Sequence, residues 1–192
     1  FTVNAMAVDL VTGEVIDPFD GRGDLARSVL RTPLDPDVSF SEDPLRMMRA
    51  ARFIAASALE PDAELVAAVE ELHGRLEIVS AERIRDELSK LLVLPDPSAG
   101  LWFLCRTGLS DEFLPELNAM QLQQDPIHQH KDVLAHTIAV VRKTRPELRV
   151  RLAALLHDIG KPKTRSVGPG AVSFHHHEVV GARMTEERLR AL

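Results

Sequence analysis

Tyrosine is absent from this chain, aromatic residues make up only 4% of it, and Cys105 is its one cysteine. So few aromatics favour a core of aliphatic side chains packed on helices. A single thiol excludes a disulfide framework within the chain, and Cys105, set among Leu101, Trp102, Phe103 and Leu104, reads as a buried, inert packing residue. No apolar run is long enough to cross a bilayer and no stretch reads as a signal peptide, so no membrane partner is expected and the cytoplasm is the default setting. An excess of basic charge is missing too. The formal net charge of −6 argues against a generally basic nucleic-acid binder, though not against a local basic surface.

What is present is an apolar content of 45%, enough for real cores in one large domain or two small ones. Arg greatly outnumbers Lys, which suits bidentate contacts to phosphates and bases, or equally records a coding bias. Residues 1–15 alternate well enough for two strands: Phe1, Val3, Ala5 and Ala7, then Val11, Val15 and Ile16 beyond a turn at Thr12-Gly13. DPFDGRGD (17–24) is turn chemistry, with Gly21 and Gly23 free to take positive φ, followed by a short helix over 25–30. Residues 32–37, with two prolines, read as a linker.

From there the pattern is mainly α. Ser41 is placed to cap a helix reaching Leu59, with Glu42, Asp43 and Pro44 in its first turn. Further helices are expected from Pro61-Asp62 to Gly74, over 81–94 behind Ser80, and over 99–107 and 111–120. After a Gln-rich link at 121–126, three more cover 131–143, 146–158 and 178–192. Phe1 opens a strand and the last helix is still running at Leu192, so both ends read as internal to a longer chain.

In SEDPLRMMRAARF, Asp43, Arg46, Arg49 and Arg52 recur every third residue near a helix N-terminus. That spacing sets Asp43 beside Arg46, with Arg49 and Arg52 drifting around the same side. Three arginines on one ridge repel each other unless an anion lies between them: a triphosphate, a nucleic-acid backbone or buried carboxylates. Ordinary salt bridging would also account for the pattern.

NAMA near the start, DPFDGRGDL, EDPLRMMRAARF and SAERIRDELSKLL occur in this order and spacing in class II tRNA nucleotidyltransferases. The chain resembles that family, bacterial poly(A) polymerases included, over essentially its whole length. The resemblance implies the C-terminal remnant of an α/β nucleotidyltransferase head with its hairpin (1–31). A neck with the base-selecting and tRNA-binding helices (37–94), body helices (95–126) and the start of an all-α HD domain (127–192) would follow. It implies that Asp43 and Arg46 select the incoming base, that Arg49 and Arg52 belong to the nucleotide pocket, and that CTP, ATP and tRNA are the partners. The carboxylates that hold Mg²⁺ for nucleotidyl transfer are not in these 192 residues, so no nucleotide addition is expected from them alone. Asp20 and Asp24 read as turn formers, or, by the resemblance, as part of a loop that helps the pocket switch from C to A. The third helix, with Glu82, Arg83, Asp86, Glu87 and Lys90, reads as a solvated face laced with ion pairs or, by the resemblance, as a brace behind the base-reading helix.

Seven of the eight histidines lie after residue 127. LAALLHDIGKP sets His157-Asp158 at the end of an apolar helix; His136 precedes it in DVLAHT and His177 follows in FHHHEVVGA. This arrangement resembles the HD superfamily, which implies that His136, His157, Asp158 and His177 bind divalent metal. Imidazole and carboxylate together do not name the ion. His128, His130, His175 and His176 have no matching role and read as surface residues. Addition of C, C and A to tRNA is the function the resemblance implies. Poly(A) synthesis through the same pocket, or metal-dependent phosphohydrolysis by the HD part, are the alternatives.

Overall fold

The computed structural model describes residues 1–122, 132–168 and 171–192. Its first sixteen residues hold less strand than the alternation predicts. Residues Thr2–Asn4 form a 3-10 turn, and only β1 (Ala7–Val8) and β2 (Val15–Ile16) pair, antiparallel, with Ala7 opposite Ile16. Thr2 is anchored instead of laddered: its hydroxyl donates to Asp24 at 2.7 Å and its amide to the Arg31 carbonyl at 3.1 Å. The hairpin tip is built by Asp9, whose carboxylate accepts the amides of Val11 and Thr12, and by Gly13 at φ +74°.

Helix α1 (Gly21–Arg27) starts four residues earlier than the sequence suggests, because the Asp17 carboxylate accepts the amides of Gly21 and Arg22. The expected positive φ falls on Asp20 (+58°) and Ser28 (+56°), not on the glycines. Gly21 is required for space: a Cβ there would stand 2.4 Å from the Thr2 carbonyl oxygen. Asp24, read as a turn former, is buried on this helix and bonded by Thr2, Arg27 and Arg31.

Strand β3 (Val29–Leu30) is followed by α2 (Pro36–Glu42), which occupies part of the expected linker and has Asp35 as its N-cap. The long helix expected from Ser41 is two helices. Ser41 lies inside α2, Asp43 is extended (φ −144°, ψ 94°), and α3 (Leu45–Ser57) begins after Pro44. A residue before proline is pushed out of the α region, so Pro44 breaks the helix at Asp43. Strand β4 (Glu60–Pro61) pairs parallel to β3, and α4 (Ala63–Leu72) is capped by Asp62, whose carboxylate accepts the Leu65 amide at 2.8 Å.

A 3-10 stretch over His73–Ile78 leads to α5 (Ala81–Leu92) and α6 (Ser98–Arg106). Ser80 stands at the N-cap of α5 but makes no side-chain cap bond. The helix expected over 111–120 is a 3-10 turn, Leu109–Glu112, and a short α7 (Pro115–Ala119). Pro115 forces Leu114 out of helical geometry (φ −145°, ψ 61°). α3 lies at the centre, its Met47, Met48, Ala50 and Ala51 buried, and α6 approaches it so closely that a Cβ on Gly100 would stand 2.4 Å from the Ala51 carbonyl oxygen.

The C-terminal part holds α8 (Val133–Lys143, capped by Asp132), α9 (Leu148–Leu156), α10 (Lys161–Thr164), strands β5 (Arg165–Gly168) and β6 (Ala171–Phe174), and α11 (His177–Ala191). The β5–β6 hairpin is an addition to the expected all-helical domain. Two arginines join this part to the helices before it. Arg151, 1% exposed, donates to the carbonyls of Arg145 and Pro95, and Arg188 pairs with Glu116 at 2.7 Å and donates to the Phe113 carbonyl. Cys105 is buried as expected, and burial pushes its thiol up to about 12. His175 and His176 are exposed, whereas His128 and His130 lie outside the described residues.

Candidate functional site

The break at Pro44 decides where the Asp43 carboxylate goes. Because Asp43 is extended, its side chain meets α5, where Arg83 donates to both of its oxygens at 3.2 and 3.4 Å. Arg46, the second residue of α3, turns back over α2. Its Nη1 donates to the Ser39 carbonyl and hydroxyl, each at 3.1 Å, and to Glu42 at 3.2 Å. Asp43 and Arg46 are therefore adjacent without being each other's ion partner. Arg46 and Arg49 line a cleft of about 360 Å³, together with Phe1, Asn4, Ser39 and Glu42. Asp43, part-exposed, stands beside Glu42 at the same helix joint.

Arg52 takes a different course. Its Nε donates to Glu87 at 2.9 Å, its guanidinium lies 4.8 Å from the Phe53 ring centroid, and it does not line the cleft. Glu87 is 6% exposed and also accepts from Lys90 at 2.8 Å. Burial pushes its carboxyl up, but bonds from Lys90 and Arg52 outweigh that, and the net direction is down. The third helix is thus more than a solvated face, since Glu87 points inward and Arg83 reaches Asp43. Among the described residues Arg49 pairs with no carboxylate. It is the cation in this cleft best placed to meet an anion.

The second cluster forms where α8, α9 and α11 meet. His136, His157 and Asp158 each offer a ligand atom, and these atoms lie within 4.8 Å of one another. The His157 Nδ1 is 2.7 Å from the Ala154 carbonyl and the His177 Nδ1 is 2.9 Å from the Phe174 carbonyl. A carbonyl can only accept, so each Nδ1 carries a proton, and each Nε2 would present a lone pair to an ion when the ring is neutral. The His157 Nε2 stands 3.2 Å from Asp158 Oδ2, and the His177 Nε2 stands 3.8 Å from Asp158 Oδ1. Three expected ligands form the tight group and the fourth adjoins it.

The donor set suits a divalent ion: two imidazole nitrogens freed by backbone carbonyls and one buried carboxylate. Burial pushes Asp158 up, but bonds from His157 and Lys161 hold it near about 2, so it is ionised. The bond to Asp158 raises His157, the direction expected when a proton occupies the place of a cation. Lys161 was not singled out in the sequence. It donates to Asp158 Oδ2 at 2.7 Å from one turn further on, and the spacing Asp158-x-x-Lys161 was the available signal.

Two family models match the sequence. Residues 58–121 match the model described as the probable RNA- and SrmB-binding site of polymerase A, and residues 129–192 match the HD domain. The class is that of a helical RNA-binding region joined to an HD domain. The A-adding tRNA nucleotidyltransferase of Deinococcus radiodurans is 41% identical over 100% of this chain and 46% of its own length. The multifunctional CCA protein of Neisseria gonorrhoeae is 36% identical over 99% of this chain and 47% of its own. Among solved structures, the CCA-adding enzyme of Bacillus stearothermophilus in complex with CTP matches with a TM-score of 0.55, over 100% of this chain and 57% of that one. At 22% identity that likeness concerns the fold alone. The chain belongs to the tRNA nucleotidyltransferase and poly(A) polymerase family, and it spans about half the length of the curated relatives it matches. Among the described residues no helix is long and apolar enough to cross a membrane.

Proposed function

We propose that the chain is the base-selecting and RNA-binding part of a tRNA nucleotidyltransferase that adds C, C and A to tRNA 3′ ends from CTP and ATP. The observation that carries this reading is the joint of α2 and α3, where Arg46 and Arg49 line a cleft and Asp43, bonded to Arg83 and outside that lining, adjoins it beside Glu42. Cytosine and adenine each present an exocyclic amine beside a ring-nitrogen acceptor. An ionised carboxylate can only accept and a guanidinium can only donate, so one Asp/Arg pair fits both bases. Guanine and uracil put a carbonyl where the amine should be and leave buried polar groups unpaired. Arg49 meets the phosphates, and Arg52, fixed by Glu87 and Phe53, completes the nucleotide-binding set from within the helix. Mg²⁺ for the transfer step is assigned to no residue of this chain. The setting that goes with such a substrate is the cytoplasm.

His136, His157, Asp158 and His177 would hold a divalent ion whose identity the donors leave open. When bound, that ion supplies Lewis acidity toward a phosphoester. This chain's residues present the imidazole lone pairs and keep Asp158 ionised.

The test is Asp43→Ala and Arg46→Ala in the whole enzyme, read by single-turnover incorporation of each nucleotide. Discrimination of C and A against U and G should fall by about tenfold or more, with tRNA affinity little changed. Unchanged selectivity defeats the assignment. A second reading is favoured by the Deinococcus radiodurans relative, whose name specifies A addition. Given tRNA ending before CCA and each nucleotide alone, a CCA-adding enzyme uses CTP, whereas an A-adding enzyme waits for tRNA ending in CC and a poly(A) polymerase extends with A repeatedly. In the same preparations, hydrolysis of a 2′,3′-cyclic phosphate that disappears on His157→Ala would support phosphohydrolysis by the HD part.

A further inference from the structure

A second groove, of about 430 Å³, shares no lining residue with the Arg46/Arg49 cleft. It runs between α4 and α6 over Ile54, with Pro61 and Val66 from one side and Trp102 and Arg106 from the other. Trp102 is the sole tryptophan of the chain and is part-exposed. The Arg106 guanidinium carbon lies over the Trp102 ring, 5.4 Å from its centroid, so one face of the indole carries a cation. Glu60 and Glu70, both exposed, also line the groove.

These groups match the parts of one nucleotide unit. An aromatic face takes a base by stacking, and Arg106 offers charge to the attached phosphate. Glu60 and Glu70 can only accept, so they favour a base with an exocyclic amine, guanine included, over uracil, whose single N–H lies between two carbonyl oxygens. The volume is that of a small-molecule site rather than a helix-binding surface. Most of the lining lies in the stretch that matches the RNA-binding model. We infer that this groove is a second nucleotide subsite, which stacks an unpaired base with an exocyclic amine, from bound RNA, on Trp102. The inference rests on the RNA-binding reading above and adds a site outside the base-selecting cleft.

The experiment is titration of the chain with hexa-adenylate, hexacytidylate and hexauridylate, and with AMP and CMP, reading the intrinsic fluorescence of Trp102. Quenching by the A and C hexamers, with half-saturation about tenfold below that of the U hexamer, is expected. By anisotropy of labelled hexa-adenylate, Trp102→Leu and Arg106→Ala should each weaken binding about tenfold, while Trp102→Phe, which keeps an aromatic face, should retain most of it. Glu60→Gln combined with Glu70→Gln should erase the preference over uracil. Quenching by AMP and CMP with no gain for the hexamers would keep the site and make its ligand a free mononucleotide. If nothing quenches while labelled tRNA still binds, the groove inference is overturned and the RNA reading stands. If tRNA fails to bind as well, both fall.

Discussion

Asp24 and Glu87 are carboxylates 1% and 6% exposed that nevertheless remain ionised. Burial alone would raise both, but Thr2, Arg27 and Arg31 hold the first down, and Lys90 and Arg52 the second. A folded pKa below the unfolded one means the folded chain binds fewer protons in mildly acidic solution. The stability these groups supply is therefore present above the unfolded carboxylate values, about 4, and is lost as pH falls through the lower folded values. Urea unfolding should accordingly show a midpoint that changes little between about pH 7 and 5 and drops below about 4. Asp24→Asn with Glu87→Gln should flatten that drop. Asp158, held at about 2, and Asp9, Asp17 and Asp96, all lowered by hydrogen bonds, keep part of it. An undiminished acid slope in the double variant would show that neither carboxylate carries it. At this scale the chemistry of the site was legible in the sequence but its pairings were not. Asp43 and Arg46 are named by type and spacing, whereas the bonds Arg83–Asp43 and Arg52–Glu87 join residues 40 and 35 positions apart. No local pattern reports contacts at such separations.

Among the elements, the misread boundaries have local causes. Pro44 and Pro115 each push the residue before them, Asp43 and Leu114, out of helical geometry, and side-chain caps from Asp17 and Asp35 start α1 and α2 earlier than the pattern suggests. The β5–β6 hairpin escaped because its first strand is exposed throughout and carries no alternation of apolar residues. What the helix pattern did not convey is the approach of α11 to the His157-Asp158 corner, where Gly160 and Gly181 bring the two segments into contact. A Cβ on Gly160 would stand 2.3 Å from the His177 carbonyl oxygen and 2.7 Å from the Gly181 amide nitrogen; one on Gly181 would stand 3.3 Å from the Gly160 amide nitrogen. Gly160 has φ −80°, so alanine there meets no backbone penalty and only the space is at stake. Gly160→Ala should destabilise by roughly 1–3 kcal/mol and displace His177, while Gly181→Ala should cost less. Thermal unfolding of the two variants tests the order, and equal midpoints would mean that α11 can shift without cost.

For the molecule as a whole, the question is what makes two matched regions behave as one body. Hydrophobic contact is continuous between them, and the directional ties include Arg151 to the Pro95 carbonyl, Arg188 to Glu116 and the Phe113 carbonyl, the exposed Arg142–Asp96 pair, and the amides of Val133 and Leu134 to the Leu122 and Met120 carbonyls. Among the described residues no carboxylate is bonded to the buried Arg151; Asp96, which acts on it through charge, pairs with Arg142 at 2.9 Å. Burial therefore lowers its pKa, and its Nη1 has no partner among the described residues. A guanidinium held by carbonyls alone costs desolvation, and what it returns is a fixed geometry between α9 and the loop before α6. Arg151→Ala leaves the Pro95 and Arg145 carbonyls without their donor and opens a cavity, a loss on the order of 3 kcal/mol. Arg151→Met fills the same volume without the charge and should be milder. The consequence for cooperativity is sharper. With Arg151 and Arg188 in place calorimetry should show one transition; with Arg151→Ala and Arg188→Ala combined, the His136–His157–Asp158 region should melt separately and at lower temperature. A divalent ion that binds there should then raise only the first of the two transitions, because a ligand stabilises the unit that holds it. A single transition in the double variant, shifted as a whole by the ion, would place the coupling in the apolar contacts and the remaining ties instead of these two arginines.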